Sequence, residues 1–159
     1  MSDNTKVDLR PVTKDNWQAV MALEIEPEQA NLVPLPAYFL AEAYIKPEGP
    51  ERTYEPLAVY SSDNKLVGFL SVTCTPGHDR DYWINGVVID RKYQSEGLGR
   101  AAMTAAIEYI VEKYPECIQI GLTVVPGNGR AASLYVSLGF NNTGEMYGGE
   151  VEWLLPIKR

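Results

Sequence analysis

The sequence predicts an α/β (α+β) layer structure, helices covering a mixed sheet, in a single domain over residues 1–159. Strand-like alternation and helical periodicity mix along the chain with no break in composition between them. At 45% hydrophobic and 22% charged, it has apolar material for a real core and too little charge for disorder. Glycine and proline are scattered, without the period of a repeat or a fibrous protein.

Lys6 to Val12 reads as a first strand. Thr13 or Asp15 then caps a helix carrying Trp17, Val20, Met21 and Ile25 on one side, stopped by Pro27. A second short helix, Ala37 to Tyr44, precedes a proline-rich loop through Pro47, Pro50 and Pro56. Leu57 to Tyr60 and Leu66 to Thr75 read as strand, turn, strand, and Asp81 to Ile89 alternates as a further strand. A strong helix from Gly97 to Lys113 repeats Leu98, Ala102, Ala106 and Ile110 at helical spacing before Pro115 stops it. Cys117 to Val125 is a buried strand, and Arg130 to Leu138 a short helix ended by Gly139. Phe140 to Met146, Gly148-Gly149 and Glu150 to Leu155 close the chain as a hairpin.

Composition narrows the function. No apolar stretch reaches the roughly 20 residues that span a bilayer, and the opening MSDNTKVDLR lacks the hydrophobic run of a secretory signal. Cys74 and Cys117 read as buried thiols of a reducing compartment, so a cytoplasmic location is the expectation, without a membrane partner. A formal charge of −7, from 21 acidic and 14 basic residues, opposes a nucleic-acid partner and suits a cationic small molecule.

Chemistry concentrates in two segments. Val88-Ile89-Asp90-Arg91-Lys92-Tyr93-Gln94-Ser95-Glu96-Gly97-Leu98-Gly99-Arg100 runs from a strand through a tight loop into a helix. Gly97 and Gly99 remove side chains where amides converge, and a helix start adds unpaired amides and a dipole favouring phosphate. Position 102 is alanine, which excludes the dinucleotide fingerprint, and no Gly-Lys-Ser/Thr follows. The second segment is Asn128-Gly129-Arg130-Ala131-Ala132-Ser133-Leu134-Tyr135, continuing to Gly139-Phe140.

In order and spacing these two segments resemble the signatures of the GCN5-related N-acetyltransferase (GNAT) superfamily. Gln94-Ser95-Glu96-Gly97-Leu98-Gly99 matches its Gln/Arg-x-x-Gly-x-Gly/Ala turn, and Asn128 to Phe140 its Asn-x-x-Ala-x-x-Leu-Tyr…Gly-Phe stretch. Chain-wide the sequence is also similar to the short bacterial spermine/spermidine (diamine) N-acetyltransferases. The resemblance implies a mostly antiparallel sheet splayed between strands 4 and 5, with helices on both faces. It implies acetyl-CoA as cosubstrate without a metal, and a homodimer, since members commonly dimerise. Coenzyme A then lies against Val87, Val88, Ile89, Gln94, Ser95, Glu96, Gly97, Leu98, Gly99, Arg100, Asn128, Ala131 and Tyr135. Glu96 departs from the pattern, placing a negative charge in the turn.

The implied reaction is direct attack of an uncharged amine on the thioester in a ternary complex. Tyr135 is the implied general acid, protonated at neutral pH by its reference pKa near 10. A backbone amide at Val88 or Ile89 is the candidate donor to the carbonyl oxygen. For a cationic acceptor the candidates are Glu28, Tyr38, Asp81, Trp83 and Glu150, with Glu24, Glu26, Glu55, Asp79, Tyr82 and Tyr147 nearby in type. That set suits a polyamine or diamine. Two alternatives stay open on the same scaffold: a protein lysine or N-terminal acetyltransferase, and a non-catalytic coenzyme A-binding regulatory module. His78 stands alone in a Pro-Gly loop, Ser133 lacks a nucleophile elbow, and the cysteines lack metal-ligand spacing. Trp17, Trp83 and Trp153 are expected in the core.

Overall fold

The computed structural model describes residues 6–30 and 35–159; residues 1–5 and 31–34 of the Glu26 to Pro36 segment lie outside it. In chain order the elements are β1 (Val7–Pro11), α1 (Trp17–Met21), α2 (Pro36–Ile45), β2 (Thr53–Ser61), β3 (Leu66–Cys74), β4 (Tyr82–Ile89), α3 (Leu98–Lys113), β5 (Gln119–Val124), α4 (Gly129–Ser137), β6 (Asn141–Tyr147) and β7 (Glu150–Pro156). Short 3-10 turns occupy Pro27–Gln29 and Arg91–Tyr93.

The strands form one sheet in the order β1-β2-β3-β4-β5-β7-β6. All pairs are antiparallel except β4–β5, which is parallel and joined only at Trp83 and Gly121. A Cβ at Gly121 would sit 2.5 Å from the Trp83 ring, so the indole occupies the space a side chain there would fill. Beyond this point the strands part. The mixed, mostly antiparallel sheet opens between the fourth and fifth strands, as the resemblance implied.

Alternation along the central strands sends side chains to two cores. Leu57 and Val59 of β2, and Leu70 and Val72 of β3, join Leu98, Ala102, Met103, Ala106 and Ile110 of α3. Ala58 and Phe69 point the other way, to Val20 of α1 and Phe39 of α2. Helices therefore cover both faces.

Three local expectations change. β2 begins at Thr53 and runs through Pro56, whose carbonyl accepts Val12's amide at 3.2 Å. A residue's N and C=O face the same strand edge, so Pro56's missing donor falls just past the end of β1. α1 is shorter than expected and starts from Asn16, with Thr13 and Asp15 upstream of its cap and Ile25 beyond its end. Its Trp17 and Met21 are 47% and 45% exposed, and only Val20 is buried. Trp153 is in the core, whereas Trp83 is half-buried beside the opening.

Candidate active site

β4 is irregular where it leaves β5. Opposite Leu70 it holds two residues, Gly86 and Val87, because Phe69 pairs with Val88 and Ser71 with Asn85. Gly86 has φ of 60°, and a Cβ there would lie 2.2 Å from the Phe39 ring, so glycine alone permits both angle and contact. Asp90's amide donates to Val67's carbonyl at 2.8 Å. Alternation then turns Val88 toward β3 and Ile89 away, so of these two amides Ile89's lies on the open side.

The next turn is shaped for anions. Ser95 and Gly97 have φ of 66° and 80°, and left-handed residues among right-handed ones gather successive amides on one side. Gly97 is the N-cap of α3, whose first turn holds no acid, and Gly99 opens onto free space. At α4, the Asn128 side chain accepts Ala131's amide at 3.3 Å, a true cap that sets Tyr135 two turns further on.

Between these elements lies a cavity of about 350 Å³. Val87, Val88 and Ile89 form one side, and Gln94, Ser95, Gly97, Leu98, Gly99 and Arg100 another. Asn128, Arg130, Ala131, Leu134 and Tyr135 face them, with Ile25, Gln29 and Tyr93 completing the wall. Glu96 is exposed and stays out of this lining. Among the described residues, Arg100 and Arg130 are the only charged side chains that line it. Arg130 donates to Ser95 Oγ at 3.2 Å, and Arg100 to Ser137 Oγ. The Tyr135 hydroxyl has no hydrogen-bond partner among the described residues, and burial pushes its pKa up to about 12.

A second cavity of about 470 Å³ abuts the first across β4, where Ile84, Asn85 and Gly86 precede Val87. Tyr38, Phe39 and Glu42 of α2, Arg52 and Tyr54, Asp81 and Trp83, and Tyr147 and Glu150 of the hairpin line it. Asp81 is already engaged. It accepts from Arg52 at 2.6 Å, Thr75 at 2.5 Å and Trp83 Nε1 at 2.8 Å. Burial opposes its charge, but these bonds outweigh that and hold its carboxyl below the ordinary value. Arg52 also pairs with Glu48 at 2.6 Å. Glu42 and Glu150 have no side-chain partner among the described residues, and burial, then Glu48's charge, raise Glu42's pKa.

Other expected acids lie elsewhere. Glu28 is exposed on the 3-10 turn, outside the second cavity. Glu55 accepts from Tyr109, Tyr114 and Lys113, and Tyr82 is buried with its hydroxyl against His78's carbonyl and Glu116. Sequence reasoning did not single out Gln29, Glu42 or Arg52. They sit in the irregular first third, and only tertiary contacts bring them to β4.

The sheet opens beside a glycine turn with a capped helix opposite, and residues 17–140 match the Acetyltransferase (GNAT) family, which makes the chain an acetyltransferase by class. The chain belongs to that family. It is 30% identical over 154 residues to the spermine/spermidine N(1)-acetyltransferase of Bacillus subtilis (strain 168), covering 91% of this chain and 94% of the relative. The fold matches the spermidine N-acetyltransferase of Vibrio cholerae in complex with CoA and spermine, with TM-score 0.71, 17% identity and 96% of both chains. A domain from Methanocaldococcus jannaschii matches with TM-score 0.71 and 17% identity, over 96% of this chain and 99% of its own.

Proposed function

We propose that this acetyltransferase moves an acetyl group from acetyl-CoA to a primary amine of a polyamine. The observation that carries the reading is the meeting of two chemically opposite cavities at the open edge of β4. The first combines turn amides with two arginines in a chain of net charge −7, a donor set that fits the phosphates of coenzyme A. The second offers two uncommitted carboxylates between aromatic walls, which fits a flexible chain bearing several ammonium groups. The spermine/spermidine specificity of the Bacillus subtilis relative supports the same acceptor.

In this reading Gln94 to Gly99, Arg100 and Arg130 hold the donor, which supplies the acetyl thioester. Ile89's amide, on the open side of β4, orients the carbonyl. Glu42 and Glu150 hold the distal ammonium groups, while Tyr38, Trp83 and Tyr147 flank the methylenes. The unprotonated amine forms its bond to the acetyl carbon as the carbon–sulfur bond breaks. Tyr135 gives its proton to the departing sulfur, and the nitrogen's proton leaves to solvent. A tyrosine with a pKa near 12 is fully protonated at neutral pH, as that role requires. Asp81, in the lining of the same cavity, keeps Arg52 in place.

The test is thiol release from acetyl-CoA with spermidine, spermine, single amino acids and a lysine peptide. Saturable turnover with the polyamines is expected. Turnover confined to the peptide overturns the acceptor, and thiol release with none of them overturns the whole reading.

A further inference from the structure

One wall of the second cavity carries a chain of hydrogen bonds. It starts at Asp81, whose Oδ2 accepts from Arg52 Nη1 at 2.6 Å. Arg52 Nη2 donates to Thr73 Oγ1 at 3.1 Å, and Asn85 Nδ2 donates to the same oxygen at 3.1 Å. Pairing puts Thr73 opposite Trp83 and Ser71 opposite Asn85, so Thr73 and Asn85 are diagonal neighbours on one face of the sheet. α2 covers that face, because alternation puts Phe69 on it with Ser71 and Thr73, and Phe69 packs with Phe39.

The chain ends on an oxygen without a partner. Every buried side-chain nitrogen and oxygen among the described residues is hydrogen-bonded, and Asn85 Oδ1 is not, so this oxygen is open to the second cavity, which Asn85 lines. Thr73 is 5% exposed and binds Arg52 as well as Asn85, which fixes the plane of the amide. After Asn85, β4 continues as Gly86, Val87, Val88 and Ile89, none with a polar side chain. Asn85 is therefore the last polar side chain of β4 before the two cavities meet.

We propose that Asn85 Oδ1 accepts an N–H from the attacking amine and turns its lone pair toward the thioester, with Thr73 as the residue that positions it. This rests on the reading given under Proposed function. A free primary amine has two N–H bonds and one lone pair, so anchoring one N–H lets the protein set the lone pair's direction. As the nitrogen bonds to the acetyl carbon it gains positive charge, and its bond to Oδ1 becomes charge-assisted, about twice as strong as a neutral one. The gain is larger in the transition state than in the bound substrate, so it acts on kcat. A carboxamide oxygen takes up no proton at neutral pH, and the nitrogen's proton still leaves to solvent. A carboxylate in its place would favour the ammonium form, which cannot attack.

The experiment measures kcat and KM for spermidine, putrescine and acetyl-CoA in wild type, Asn85→Leu, Thr73→Val and the double variant. Asn85→Leu keeps the shape and removes the oxygen. It should lower kcat by about 30-fold for both amines, as loss of a hydrogen bond to a charged group does. KM for spermidine and acetyl-CoA should stay within about 2-fold of wild type, because the bond is realised mainly in the transition state. Thr73→Val should lower kcat by about 5-fold, and the double variant should be no slower than Asn85→Leu, because both act through one oxygen. Asn85→Asp, which reads the proposal even where leucine disturbs folding, should move the kcat–pH profile about one unit to the alkaline side. Unchanged kcat in Asn85→Leu overturns the proposal. Losses that multiply in the double variant, or an Asn85→Asp enzyme faster than wild type at neutral pH, overturn it too. Each of these leaves acetyl transfer to a polyamine intact, whereas a wild type that acetylates no polyamine removes the acceptor reading and the role of Asn85 together.

Discussion

Tyr135 combines a hydroxyl without a partner among the described residues and a pKa raised by burial. Removing that oxygen removes a proton donor and leaves the ring packed 5.9 Å from Phe140. Tyr135→Phe should therefore lower kcat by about 100-fold, the lower range for a positioned acid, with coenzyme A affinity within about 2-fold. Equal loss of kcat and affinity would make the residue a binding group instead. The carboxylates divide in the same manner. Glu42→Gln and Glu150→Gln should each raise spermidine KM by roughly 5-fold, about 1 kcal/mol for one solvent-shared ion pair, with kcat preserved. An unchanged KM in both would remove them from the acceptor site. Sequence alone could not rank these acids. Asp81 stands beside Tyr82 and Trp83 and invites selection, but its neutralising partner Arg52 is 29 positions away. Glu42 stands in a helix that looks apolar throughout, whereas Tyr135's place beside the glycine turn was legible because its signature is local.

At the scale of elements, α3 is held at its C-terminal end as firmly as at its glycine start. Glu55 of β2 accepts from Tyr109, from Tyr114 at 2.6 Å and from Lys113 at 2.9 Å. Burial alone would raise its pKa, but the three donors outweigh burial and lower it. A depressed carboxyl contributes stability in full above its unfolded value near 4.5, and loses it as pH falls through the folded pKa. Glu55→Ala leaves two half-buried or buried hydroxyls without their acceptor, at a cost of about 3 kcal/mol. That lowers Tm by roughly 6–12 °C at neutral pH for a chain of this size. The gap between wild type and variant should begin to narrow below about pH 4.5 in thermal melts, where the unfolded chain takes up the proton first, and narrow further as pH falls through the lower folded value; a gap that persists through that fall would remove the charge from the account. Such long-range anchors lie outside what a sequence pattern shows. α3 and the last hairpin were legible, because each expresses its own period and is bounded by glycine or proline. The alternation of β4 was legible only as far as Asn85: the extra residue opposite Leu70 moves Ile89 into the core that holds Tyr82 and Ile84. β2 was not, since Pro56 reads as a breaker and only its position beyond β1 excuses it. α1 was overextended because Trp17 and Met21 look like a core stripe, while its single turn and a half buries only Val20.

For the whole molecule, charge sorts the two substrates before either binds. A net charge of −7 attracts a polyamine from all sides and repels a phosphate-bearing donor until Arg100 and Arg130 take over at short range. Screening acts mainly on the long-range part, with a Debye length of about 10 Å near 0.1 M salt. Raising salt from about 0.02 to 0.3 M should thus lower kcat/KM several-fold for polyamines, more steeply for spermine than spermidine and least for a monoamine. The donor should respond differently. Its kcat/KM should stay level or rise in wild type, because screening relieves the long-range repulsion, and rise more steeply in Arg100→Gln and Arg130→Gln, where less short-range attraction opposes that relief. Salt slopes equal for all acceptors would show that the acidic surface serves solubility alone. Equal donor slopes in wild type and both variants would place the phosphates away from the cavity that Arg100 and Arg130 share.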